Sequence, residues 1–382
     1  MSTDLFTEVT NTGWFSRLGK SIVGVLLGIV LTVGAFPLLW WNEGRSVKTY
    51  QGLVEGEKVT VEVTAEAVDA ANDGKLVHTV GKAEAKDVVR DDLFGVASPG
   101  MIKLQREVEL YQWVEKKQTR QKTKMGGGEE TVTEYTYEKK WDAEINKSNE
   151  FKVKEGHVNP PPAYQSSTFI SNQATLGAFR LPKYLLNTWN DYKTHDLQTI
   201  ESLPEPLRAK AQFREGWLYL SANPSSPDLG DARVKFESIP AGEASVLARQ
   251  LKDTFEPYTT KTNTQIARIA SGAQSKEAMF AAAKSENKMI TWIFRGLGFF
   301  LMFLGLVMVF TPFKILASVL PIAGRIVGAG VGFIAFLLSA MGSTLTISLA
   351  WLWYRPVLGV SLLCLTVVGA VFLVKALRKK AA

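Results

Sequence analysis

The residues most able to do chemistry stand where long apolar runs begin or end. Asn42, Glu43 and Arg45 follow one run, Arg295 lies inside the start of a second, and Tyr354 and Arg355 close a third. A carboxylate and several guanidinium groups at a desolvated boundary cannot be left unpaired without cost. Glu43 is therefore expected to pair with Arg295 or Arg355, fixing the first helix against the others. Independent binding of each arginine to lipid phosphate is the alternative. A structural pin ranks above a catalytic or headgroup-binding role.

The rest of the chain offers less chemistry. The histidines, His78, His157 and His195, have neither His-x-x-x-His nor His-Glu-x-x-His spacing, so a zinc hydrolase is unsupported. His157 stands beside Asn159-Pro160-Pro161-Pro162 and more simply shapes a loop than serves as a base or ligand. There is no Gly-x-Ser-x-Gly elbow and no phosphate-cradling loop. Asp91-Asp92 and Glu129-Glu130 read as solvated loop carboxylates. Cys364 is the one cysteine and lies in an apolar run, which excludes an internal disulfide and a cysteine metal site. No catalytic residue, metal or cofactor is expected.

The elements that must position the polar cluster are helices in a bilayer. Ser21–Trp41 carries no charge across 21 residues, enough helix to cross about 30 Å of hydrocarbon. Residues 289–313 carry Arg295 as their one charge, while 326–354 and 356–374 carry none. A mean hydropathy near zero (+0.02) hides these runs, because a polar middle averages against apolar ends. The net charge of +7 misleads in the same way. Residues 42–288 hold 34 basic against 35 acidic residues, whereas 289–382 hold eight basic and no acidic ones. The basicity thus belongs to membrane flanks facing anionic headgroups and gives no support for nucleic acid as a partner. Val33-Gly34-Ala35 resembles a signal-peptidase site, but the run continues to Trp41 and is preceded by Asp4 and Glu8, so an uncleaved anchor is expected.

Arg17 and Lys20 precede the first run, Lys314 and Arg325 lie between the second and third, and Lys375, Arg378, Lys379 and Lys380 follow the fourth. The positive-inside rule then puts both termini and the 314–325 loop in the cytoplasm, and residues 42–288 on the other side. Trp14, Phe15, Trp40, Trp41, Trp292, Trp351 and Trp353 fall near the run ends as an aromatic belt. Ile315–Gly324 is apolar but short and contains Pro321, which suggests an interfacial or re-entrant segment.

Within 42–288, Val59–Val68 alternates as a strand does, and Leu76–Val80 reads as a second. Met101–Lys124 and Glu129–Trp141 flank Gly126-Gly127-Gly128, a long hairpin whose polar tip is expected to be exposed and mobile. Arg180–Tyr192 suits a helical turn, and Gly216–Ala222 and Ala232–Ser238 read as strands. Thr260–Lys288 is Ala-rich and helix-forming, with Ile266, Ile269, Ala273, Met279 and Phe280 as an apolar stripe, and no breaker after Gly272 stops it from running on into the second span.

Inside the runs, Gly24 and Gly28 form one small-xxx-small step, and Gly324, Gly328 and Gly332 form two more. Such spacing admits close helix packing, within one chain or between copies. Ser339, Ser343, Thr344, Thr346 and Ser348 are expected to bond to backbone carbonyls or neighbouring helices rather than line a polar pathway.

Six groups of residues then stand in the order found in one family. They are Asn42-Glu43-Gly44-Arg45 with Lys48-Thr49 and Glu55-Gly56; Val108–Glu115; Tyr135-Thr136-Tyr137 with Trp141, His157 and Asn159-Pro160; Gly230–Phe236; Arg295-Gly296 with Met302–Gly305; and Trp351–Pro356. Over nearly its whole length the chain resembles the LUMA family, also called transmembrane protein 43. The resemblance implies membrane-organising proteins of the endoplasmic reticulum and inner nuclear membrane that associate with emerin, lamins and themselves, with a lumenal soluble domain. No evident eukaryotic retention signal is present, so a prokaryotic relative in a bacterial cytoplasmic membrane is expected, to which the nuclear role does not transfer.

The expected fold is α+β, a four-helix polytopic membrane region with a β-rich extracytoplasmic domain between helices 1 and 2. Its segments are a cytoplasmic or interfacial 1–20, spans at 21–41, 289–313, 326–354 and 356–374, the domain at 42–288, a loop at 314–325 and a basic cytoplasmic tail at 375–382. The expected function is a non-enzymatic membrane scaffold that self-associates as a homo-oligomer, with the lipid bilayer and other membrane proteins as partners. The rivals are a membrane enzyme acting on lipid headgroups and a channel or transporter component; the latter is disfavoured by the lack of acidic residues within the runs.

Overall fold

A computed structural model describes residues 4–197 and 199–355, and beyond them residues 360, 361, 364, 365, 367–369 and 371. The fourth expected span, 356–374, lies largely outside the described residues, and the tail 375–382 lies wholly outside them. Among the described residues three helices are long and apolar enough to cross a membrane: α1 (Trp14–Val59), α2 (Lys276–Ala317) and α3 (Pro321–Tyr354). The chain divides into a β-rich unit of residues 1–6, 52–118 and 134–281 and a helical unit of residues 7–51, 119–133 and 282–382.

The main strands are β1 (Asp4–Thr12), β2 (Val61–Thr64), β3 (Leu76–Ala85), β4 (Met101–Thr123), β5 (Glu129–Asp142), β6 (Ala211–Arg214), β7 (Trp217–Leu220), β8 (Ala232–Pro240), β9 (Gly242–Leu251) and β10 (Arg268–Ser271). One sheet runs in the order β1-β5-β4-β8-β7-β6. A second is built on β3 antiparallel to β9, with Leu76 opposite Arg249 and Ala83 opposite Gly242. There β2 lies parallel to β3, and β10 antiparallel to β9. From Leu104 to Val114, β4 buries every second residue, as a strand with one core face must. Phe94, Leu104, Val108, Leu218, Val234 and Phe236 form one core of the β-rich unit, and Val77, Ile102, Leu176, Phe179, Leu185 and Phe255 another.

Several expectations from the sequence are corrected here. The Ala-rich stretch from Thr260 is not helical until Lys276, because Arg268–Ser271 is taken up as the edge partner of β9 and Ile269 sits opposite Val246. Gly272 at φ +80° then breaks the strand before the helix begins. Val59 ends α1, so the strand expected from that residue is confined to Val61–Thr64. Ile315–Gly324 holds a short turn between two helices: Ala317 closes α2, and Pro321, free of any need to donate a backbone N–H, opens α3. Asp91 is no solvated carboxylate; it is buried and paired with Arg106 Nη1 at 2.5 Å.

The hairpin tip is docked, with Met125 and Gly126 exposed beside a buried Gly127. Gly126 N–H donates to the Val319 carbonyl at 3.1 Å. Arg17 donates to the Gly127 carbonyl at 2.5 Å and pairs with Glu129 at 3.0 Å. A side chain on Gly127 would lie 2.2 Å from the Trp14 ring, so glycine permits this approach as well as the φ of +79°. The tip thus shares the end of the helical unit that carries Arg17 and the α2–α3 turn. In a Cys364→Ser background, cysteines at exposed Met125 and at exposed Leu320 should react with an impermeant maleimide from the same side of the membrane. Labelling from opposite sides in intact cells would refute this geometry.

Candidate functional site

Helical periodicity assembles the polar cluster at the other end of α1. Along α2, Asn287, Thr291 and Arg295 recur every fourth residue and so share one face. That face meets Asn42, Glu43, Arg45 and Ser46 of α1, while Trp351 and Tyr354 arrive from the last turn of α3. Glu43 is 1% exposed and accepts two bonds from Arg295, at 2.6 Å from Nε and 2.8 Å from Nη2. Trp351 Nε1 donates to the same carboxylate at 2.5 Å. The Arg295 guanidinium also lies 4.7 Å from the Trp292 ring and 5.4 Å from the Trp351 ring. A bidentate, ring-flanked arginine of this kind is held in place as a lysine could not be.

A second layer of neutral groups surrounds Arg45. Its guanidinium donates to Asn287 Oδ1 at 3.1 Å and to Asn42 Oδ1 and Thr291 Oγ1, each at 3.2 Å. Asn42 donates to the Thr291 carbonyl at 3.1 Å, and Asn287 to the Ser46 carbonyl at 2.9 Å. Arg355 is not at Glu43; its guanidinium lies 5.6 Å from the Tyr50 ring. Tyr354 packs on Gly44, where a Cβ would come within 2.7 Å of the phenolic oxygen.

The cluster opens on a cleft of about 820 Å³ between α1, α2 and the end of α3. Its walls include Tyr50, Lys284, Lys288, Trp292, Tyr354 and Arg355, with Arg295 and Trp351 at its base.

The small residues of the spans play different parts. Gly28 is a packing surface, since a Cβ there would lie 2.5 Å from the Gly305 carbonyl oxygen of α2. Gly24 has ordinary contact with Met308 at 4.0 Å. Gly324 packs on Ser318 of the preceding turn, and Gly328 meets the aliphatic part of Lys314. Among the described residues a Cβ added at Gly332 would meet nothing within 4 Å. On α3, Ser339, Ser343, Thr346 and Ser348 each donate to the carbonyl four residues earlier, at 2.5–2.7 Å.

Sequence reasoning missed Ser46, Asn287, Thr291 and Trp351 in the cluster, and Gly44, Gly298 and Gly305 among the packing positions. The Asn287–Thr291–Arg295 spacing was the signal that could have found the α2 face. His157 is a packed loop residue: it stacks on Tyr137 at 3.9 Å and meets Trp113 edge-on, with Nδ1 3.1 Å from the Val153 carbonyl. Burial, with the Glu115 carboxylate accepting its hydroxyl, pushes Tyr137 up to about 12. His78 Nε2 lies 2.9 Å from the Gln274 carbonyl, and His195 Nδ1 lies 3.4 Å from Ser238 Oγ. Among the described residues no group of three or more His, Cys, Asp or Glu could hold a metal.

Comparison with known proteins bears on this arrangement. The family described as Transmembrane protein 43 matches residues 110–356. The rat Transmembrane protein 43 is 32% identical over 374 residues, covering 95% of this chain and 92% of its own. The human protein is 31% identical over 356 residues, with 90% and 88% covered. A Drosophila melanogaster homologue is 25% identical over 364 residues, with 90% and 92% covered. No solved structure matches.

The ion pair and the glycine contact each make a prediction. Glu43→Gln and Arg295→Gln should each destabilise the protein by about 3 kcal/mol, because each leaves a buried partner unanswered. The double variant should lose less than the two together, by about 1 kcal/mol or more, in thermal or chemical denaturation in mild detergent. Additive losses would show that the two side chains are not coupled. Gly28→Leu should lower stability by about 2 kcal/mol through overpacking against Gly305, and an unchanged melting temperature would exclude that contact.

Proposed function

The chain belongs to the transmembrane protein 43 family, and on that footing we propose that this integral membrane protein works as a non-enzymatic scaffold. Its helices hold a β-rich unit at the bilayer, and copies associate through the outer face of α3. The observation that carries this reading is the state of Glu43. Its carboxylate is consumed by Arg295 and Trp351, so it serves to hold α1, α2 and α3 together. A general acid or base needs a proton-transfer path to substrate, and a saturated, buried carboxylate is poorly placed for one. The short basic flanks support an extracytoplasmic position for the Glu43 end.

Self-association is supported by the surface around Gly332. Among the described residues a Cβ added at Gly330 or Gly332 would meet nothing within 4 Å, and Phe333, Ile334 and Phe336 beside them are exposed. Small residues flanked by large apolar ones let a second helix approach closely in lipid, where packing rather than water exclusion drives association. Gly332→Leu should therefore lower the subunit number, measured by native mass spectrometry or light scattering in mild detergent, while leaving the melting temperature of the protomer unchanged. An unchanged subunit number would remove α3 as the contact. A parent protein that is monomeric in lipid nanodiscs would remove self-association altogether.

A further inference from the structure

We propose that the cleft between α1, α2 and the end of α3 binds the phosphate of an anionic phospholipid. The inference rests on the reading that these helices span a bilayer with the Glu43 end at its interface. Among the described residues four cationic side chains line the cleft, Lys284, Lys288, Arg295 and Arg355, and no carboxylate does. Glu43, behind this wall, is spent on Arg295 and Trp351. The positive charge of Lys288 and Arg355 therefore faces the cavity with no carboxylate among its walls to answer it.

The order of groups along the cleft matches the order of groups in a phospholipid. Lys284 and Lys288 lie beyond the apolar run of α2 and Gln51 beyond that of α1, whereas Trp292, Arg295 and Trp351 lie within the runs. Cations at headgroup level above indole rings at the glycerol level is the arrangement that retains phosphate over acyl chains. Guanidinium and ammonium donors converge naturally on a phosphate, and about 820 Å³ accommodates a headgroup with its glycerol.

The charge balance also selects the headgroup. A zwitterionic lipid would bring an ammonium among the lysines. The rings that might cage a quaternary ammonium are already engaged, since Trp292 and Trp351 both flank Arg295. A headgroup with net negative charge has no such conflict.

The test uses the full chain in nanodiscs containing phosphatidylcholine and a brominated lipid, with quenching of tryptophan fluorescence as the readout. At equal mole fraction, brominated phosphatidylglycerol should quench more strongly than brominated phosphatidylcholine, and Trp292→Phe should reduce the difference. Lys288→Gln and Arg355→Gln should each weaken the preference about fivefold without lowering the melting temperature. Lys288→Arg and Arg355→Lys, which keep the charge, should keep the preference. Equal quenching by the two lipids overturns the proposal, as does a preference that survives loss of both cations. Protection of the detergent-solubilised chain by inorganic phosphate, without any lipid preference, would also overturn it in favour of a soluble ligand. Absence of quenching by either brominated lipid would instead refute the bilayer-spanning reading beneath it.

Discussion

A carboxylate removed from water has to be answered in place, and that constraint on Glu43 organises the helical unit. Desolvating an ion costs several kcal/mol, and mutual attraction offsets this only when geometry is good and the remaining lone pairs are filled. Arg295 supplies two donors and Trp351 a third, so one buried group draws on two other helices. Rotation of α1 or α2 would leave a charge unpaired, and rotation of α3 would withdraw the Trp351 donor. Such a contact contributes less to stability than to specificity, because the alternatives it excludes are so unfavourable. Asn42, Arg45, Asn287 and Thr291 extend the same constraint by filling one another's donors and acceptors across α1 and α2.

Close approach of the backbones is the other half of the arrangement. Side chains of ordinary size would hold α1 and α2 too far apart for the polar groups to meet. Gly28 faces the Gly305 carbonyl, and Leu39 fills the space over Gly298. Toward the polar end, Gly44 admits the Tyr354 ring from α3. Packing at these glycines and pairing at Glu43 require each other.

Long-range physics was legible in the sequence where its cost was large. Apolar runs of bilayer length mark α1, α2 and α3, and the expense of unpaired charge marks Glu43 as needing Arg295 or Arg355, between which the sequence does not choose. Alternation on either side of three glycines delimits the β4–β5 hairpin to within a residue or two. What escaped was information held by a neighbour distant in sequence. Trp351 looks like any belt tryptophan until α3 brings its N–H to Glu43. Asp91 looks solvated until β4 presents Arg106. Residues 268–271 favour a helix by composition, and only pairing with β9 makes them a strand. The hairpin tip looks mobile because its partners, Trp14, Arg17 and Val319, lie more than a hundred residues away in the chain. Among the five spaced glycines, sequence spacing could not tell Gly28, packed on α2, from Gly332, open to its surroundings.

The pin and the cleft share a wall, and this gives the cleft its rigidity. Asn287, Thr291, Arg295 and Trp351 line the cavity, and each is also bound within the polar cluster. Their positions are set by pairing inside the protein before any ligand arrives, so binding a phosphate there requires little ordering of the inner wall. The adaptable part is the rim, where Lys284 and Lys288 project from α2 on flexible stems and Arg355 rests against Tyr50. A fixed floor with movable cations suits a ligand whose phosphate is constant and whose remaining headgroup varies. Replacing Arg295 would therefore affect more than the pin. It would free Glu43 to face the cleft with its negative charge, turning a cationic wall into a mixed one and removing the electrostatic basis for retaining an anionic lipid.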